Sequence, residues 1–99
     1  MIVINFSDNE ISIKGHAHYA EIGRDIVCAG VSALVQTLIQ SIEELTADTI
    51  LYDMKPGTVH IQFEDLSEGA RLLVKSFFVG VEMIASEYPD NVTVQALNT

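Results

Sequence analysis

Cysteine is nearly absent from this 99-residue chain, which holds one, Cys28. An internal disulfide is therefore impossible, and nothing calls for an oxidising compartment. Positive charge is also scarce: five Lys and Arg stand against fourteen Asp and Glu, a formal net charge of −9. Phosphate backbones repel such a surface, so direct nucleic-acid binding is disfavoured. The acidic excess either serves solubility alone or draws in a cationic peptide or protein. The longest apolar-looking stretch, Ile26 to Val35, falls far short of the roughly twenty residues of a membrane span. The opening Met-Ile-Val-Ile-Asn-Phe has no positive region and reaches Asp8 too soon for a secretory leader. A cytoplasmic protein without membrane contact is expected. Proline and glycine are sparse, and no low-complexity segment suggests disorder.

What is present is apolar: 48% of residues, enough for one core and one domain over residues 1–99. Ile2, Ile4 and Phe6 alternate, Asp8-Asn9 interrupts, and Ile11 and Ile13 alternate again, which predicts a β-hairpin. Gly15 ends that pattern, and His16 to Arg24 carries no period, so a loop is expected there. Asp25 is a favoured N-cap for a helix carrying Val27, Val31, Leu34, Val35, Leu38, Ile42 and Leu45 at helical spacing. Ile50 to Met54 reads as a strand, Pro56-Gly57 as a tight turn, and Val59, Ile61 and Phe63 as the next strand. A second helix starts near Ser67 and ends at Tyr88 before Pro89. Its stripe (Leu73, Phe77, Val81, Ile84) is widened by Ala70, Val74, Phe78 and Ala85. That width suits either burial on both flanks or a dimer interface. Asn91 to Leu97 gives a last strand. The order β-β-α-β-β-α-β predicts an α+β fold with two helices packed on a mostly antiparallel sheet.

Cys28 falls three residues after Asp25, inside the first helical turn. Unpaired N–H groups and the positive end of the helix dipole favour a thiolate there, and the same donors are expected to receive an oxyanion. A cysteine in an apolar helix is equally an inert core residue. His16, where the second strand enters the loop, can approach that helix start and take the thiol proton; a surface histidine at a strand end is the plain alternative. His60 sits in the polar phase of its strand, where solvent exposure is the default. A zinc site from His16, His18, Cys28 and a carboxylate is conceivable, but the spacing lacks the paired ligands of stronger motifs. Ser32, one turn after Cys28, either orients the site or bonds its own backbone. Asp25 either caps the helix or holds His16, and capping is the stronger claim because a second negative charge would oppose a thiolate.

Gly15-His16-Ala17, Tyr19-Ala20, Gly23, Asp25-Ile26-Val27-Cys28-Ala29 and Val31-Ser32-Ala33-Leu34 together resemble the ribosomal-processing cysteine proteases called Prp. The resemblance runs over essentially the whole chain. It implies a cysteine endopeptidase needing no metal or cofactor, with His16 and Cys28 as catalytic dyad. The implied substrate is a basic precursor of a large-subunit ribosomal protein, number twenty-seven, cut after a Phe-Phe pair. It further implies a homodimer. The acidic surface then steers the basic substrate, and the loop Ala17 to Arg24 closes over it, with Gly15 and Gly23 supplying bends and Gly23 as hinge. Gly30 is unusual within a helix, and either loosens the first turns or admits a substrate backbone. The competing readings are a non-catalytic ribosome-associated binding module, with Cys28 only in the core, and a metal-dependent enzyme using the histidines.

Overall fold

The computed structural model describes residues 1–21 and 23–96. Strands β1 (Ile2–Phe6) and β2 (Glu10–Lys14) form the first hairpin, followed by helix α1 (Ile26–Leu45). Strands β3 (Leu51–Lys55) and β4 (Thr58–Gln62), helix α2 (Glu68–Glu87) and strand β5 (Val92–Ala96) complete the chain. The sheet order is β3-β4-β2-β1-β5. Three of its pairings are antiparallel, and only β5 runs parallel to β1. The expected α+β layer is therefore what forms. Ile50 precedes β3 instead of opening it and is buried as part of the link. Phe63 lies just past β4, yet its N–H still reaches the Asn9 carbonyl at 3.0 Å. The last strand occupies Val92–Ala96, and the expected Leu97 lies outside the described residues.

Alternation aims one sheet face at the helices. Ile2, Ile4, Ile11, Ile13 and Ile61 are buried there against Val31, Val35, Leu38, Ile39 and Ile42 of α1. Each fully buried aliphatic side chain contributes about 1.5–3 kcal/mol. Helix α1, with 20 residues, is by length and composition apolar enough to cross a membrane, more than the stretch Ile26 to Val35 suggests; its buried residues are Val27, Val31, Val35, Leu38, Ile39 and Ile42. His60 points to the other face, half-buried instead of fully solvated, with its Nε2 3.1 Å from Glu10 Oε2.

The helices meet through glycines. A Cβ at Gly80 of α2 would stand 2.9 Å from Leu34 Cδ1, and one at Gly30 of α1 would stand 3.3 Å from Ile84 Cδ1. Gly30 thus faces α2, so its role is helix approach and not admission of a substrate backbone. The wide stripe of α2 goes to the core as well: Ala70, Phe77 and Val81 are buried, and Leu73, Val74, Phe78, Ile84 and Ala85 pack against them. The apolar residues that α2 leaves exposed are Leu72, Val79 and Met83, a separate line along the helix. Edge strand β3 is exposed along its whole length.

Candidate active site

The start of α1 is set by Asp25, whose extended backbone (φ −84°, ψ 98°) ends the loop. Its Oδ1 accepts the N–H groups of Val27 and Cys28, each at 3.0 Å. Its Oδ2 accepts Tyr19 N–H at 3.0 Å and Ala20 N–H at 3.4 Å. The Cys28 N–H is the chief cause that holds this carboxyl below its ordinary value, with Tyr19, Ala20 and Val27 adding to it against a desolvation penalty. Both oxygens are thus engaged by backbone, so Asp25 caps the helix and ties down the loop and does not hold His16. This also corrects the expected oxyanion donors. The N–H groups of Val27 and Cys28 are taken by the Asp25 side chain, and that of Ala29 by the Asp25 carbonyl at 3.0 Å.

His16 follows a turn that only glycine permits. Gly15 has φ +96°, its N–H donates to the Gly57 carbonyl at 2.9 Å, and a side chain on it would collide with the Met1 carbonyl oxygen. The exposed His16 ring then rests on Gly57, where a Cβ would come within 2.9 Å of Nε2. His18 takes a left-handed backbone (φ +56°) and sets its ring edge-on to His16, centroids 6.1 Å apart. Gly23 has φ +87° with open space around it.

Cys28, His16, Ser32 and Pro56 each line two adjoining cavities. The smaller, about 220 Å³, has apolar walls from Ile13, Val31, Val35, Met54 and Val59. The larger, about 800 Å³, is bounded by the loop and the helix start, with His18, Glu21, Arg24 and Asp25 on its walls. Ser32 is exposed, and among the described residues its hydroxyl makes no hydrogen bond, to its own backbone or otherwise. No group of three or more His, Cys, Asp or Glu among the described residues is placed to hold a metal ion. His16, His18 and Cys28 are therefore not brought together as the start of the zinc constellation.

Sequence reasoning missed two parts of this site. The buried Ala17 donates its N–H to Cys28 Sγ at 3.2 Å, and its carbonyl accepts from Asn91 Nδ2 at 2.9 Å. A backbone donor has no residue signature, and Asn91 reads as the first residue of the last strand, whereas it lies in the turn before β5 (Val92–Ala96). The Pro56-Gly57 turn was legible as a turn but not as the wall behind His16.

The comparisons bear on what this geometry does. Residues 1–93 match the family model for cysteine protease Prp. The chain is 33% identical over 101 residues to the ribosomal processing cysteine protease Prp of Staphylococcus aureus (strain Mu50), covering 93% of this chain and 95% of that protein. It is 33% identical over 89 residues to the Prp of Bacillus subtilis (strain 168), covering 83% and 80% respectively. The crystal structure of the S. aureus protease with a covalently linked product peptide superposes with a TM-score of 0.94 at 28% identity, over 98% of this chain and all of that one. Similarity of this extent, over the whole fold and the cysteine-bearing helix with it, means that the chain belongs to the cysteine protease Prp family.

Proposed function

We propose that Cys28 is the nucleophile and His16 the general base and acid of a protease that trims a ribosomal protein precursor. The observation carrying this reading is that His16 and Cys28 both line the same two adjoining cavities. A covalently linked product peptide on a relative of the same fold supports a covalent route. His16 takes the thiol proton, and the thiolate forms a C–S bond to the scissile carbonyl carbon. The tetrahedral adduct collapses as its C–N bond breaks, and His16 returns the proton to the leaving amine. Water, deprotonated by His16, then displaces the sulfur and releases the acid. These steps use only side chains, backbone and water.

The substrate in this reading is the precursor of large-subunit ribosomal protein number twenty-seven, cut after Phe-Phe. The apolar cavity beside Cys28 suits an aromatic side chain. Glu21 and Asp25 on the larger cavity, with the net charge of −9, suit a basic segment beyond the cleaved bond. Asp25 and Ser32 act in support, the first through the helix cap and loop, the second from the wall of both cavities. Gly15 and Gly23 permit the bends of a loop that covers the bound peptide. The enzyme works in the cytoplasm without contacting nucleic acid, as a homodimer that buries Leu72, Val79 and Met83. Val79→Glu should shift a dimer to monomer in sedimentation; an unchanged mass would remove this face from the interface.

A peptide spanning Phe-Phe and a lysine-rich tail tests the assignment. Wild type should cut after the second Phe, Cys28→Ala should be inactive, and His16→Ala should lose at least about a hundredfold in kcat. Undiminished cleavage by Cys28→Ala would end the dyad and leave a binding module.

A further inference from the structure

With the N–H groups of Val27, Cys28 and Ala29 engaged by Asp25, the nucleophile needs another donor. The donor that touches the sulfur is a backbone amide, Ala17 N–H, at 3.2 Å from Cys28 Sγ. Ala17 is buried, with 1% of its surface exposed, so this bond lies away from bulk water, where it is strengthened. The residue is also braced from far along the chain. Asn91, in the turn between α2 and β5, donates its side-chain N–H to the Ala17 carbonyl at 2.9 Å. Asn91 is in turn fixed by its own backbone: its N–H donates to the Tyr88 carbonyl at 3.0 Å, and its carbonyl accepts Ile2 N–H at 2.8 Å. The ring of Tyr19 packs edge-on against Tyr88, centroids 5.2 Å apart, and holds the other side of the same loop stretch.

We infer that the Ala17 N–H is a catalytic group of this site, stabilising first the Cys28 thiolate and then the oxyanion, and that Asn91 is the residue that positions it. The inference rests on Cys28 being the nucleophile. As Sγ bonds to the scissile carbonyl carbon, the carbonyl π pair moves onto oxygen, and negative charge leaves the sulfur for an atom two bonds away. A donor already against the sulfur lies within reach of that oxygen and follows the charge. When the C–N bond breaks, the pair returns to re-form the carbonyl, and the amine leaves with the proton from His16.

A full-length chain with L-lactic acid in place of Ala17 removes this N–H and little else; Cys28 supplies the ligation point for its synthesis. The ester chain should lose roughly a hundredfold in kcat, the usual cost of one oxyanion donor. Its Cys28 should react with iodoacetamide about three- to tenfold more slowly at pH 7, yet as fast as wild type at pH 10. Asn91→Ala keeps the backbone bonds of the turn and should show the same pattern at about a tenth of the loss in kcat. It also serves if the ester chain fails to fold. Wild-type turnover and wild-type alkylation at pH 7 in either folded variant would overturn the assignment for that group. Equal slowing at both pH values would also overturn it, because that marks altered access to the sulfur. The alkylation comparison stands apart from peptide cleavage, so it tests the donor even if Cys28→Ala proves active and the nucleophile assignment falls.

Discussion

An aspartate supports the start of each helix, but only one of the two starts is a candidate site. At α2 the N-cap is Ser67, whose Oγ accepts Ala70 N–H at 3.2 Å, and Asp48 acts one step back. Asp48 takes Ser67 N–H at 2.7 Å and Ser67 Oγ–H at 2.6 Å, and both oxygens are spent within that cap. At α1 the aspartate is the cap itself, using one oxygen for the helix and the other for the loop. Direct capping thus frees an acceptor that joins the turn bearing Cys28 to the segment bearing Ala17 and His18. The relayed cap serves stability alone.

Substitutions can break this contrast. Of the two aspartates, Asp25→Ala is expected to have the larger effect on turnover, because it unties the loop and the first helical turn together. Activity on a Phe-Phe peptide should fall by at least about tenfold, as misplaced catalytic groups do, with a lowered Tm. Asp48→Ala should lower Tm at least as much and leave turnover near wild type. Equal loss of turnover in the two would erase the distinction between the caps.

Acid gives a smaller and graded test. Both carboxyls sit below the ordinary value of 3.8, Asp25 mainly through Cys28 N–H and Asp48 mainly through the Ser67 hydroxyl. A lowered folded-state pKa means the unfolded chain binds the proton more readily. The stabilisation is therefore complete above the unfolded Asp value and is lost as pH falls through the lower folded one. Amide exchange at Tyr19, Ala20 and Cys28 should accelerate together below that ordinary value, as should exchange at Ala70. Protection at Tyr19 persisting at pH 2 while Cys28 opens would show that the two ends of Asp25 are not one latch.

Local pattern made most of the fold legible. Alternation at Ile2 to Phe6 and at Ile11 to Ile13, the caps Asp25 and Ser67 and the stop at Tyr88-Pro89 all depend on neighbours a few residues apart, which is the range that propensity and periodicity report. His16 and Cys28 were legible as candidates because their side chains carry chemistry and the surrounding block resembles a known family. The Ala17–Asn91 bond joins residues 74 apart in sequence, and half of it is main chain. Gly57 behind His16 acts through a missing Cβ. The width of the α2 stripe was visible, but its destination was not, because a second helix and an external partner make the same apolar demand.

The parallel pairing of β5 with β1 has a consequence for when the site comes into being. His16, Ala17 and Cys28 are synthesised early, but the turn that braces Ala17 and the strand that fixes that turn lie at residues 91–96. Until those residues clear the exit of the translating ribosome, Ile2 has no partner at Asn91 and Ala17 has no anchor. A nascent chain thus carries the thiol and the imidazole without the scaffold that aligns them. On the assignment of Ala17 proposed above, the site is aligned only once residues 91–96 are in place.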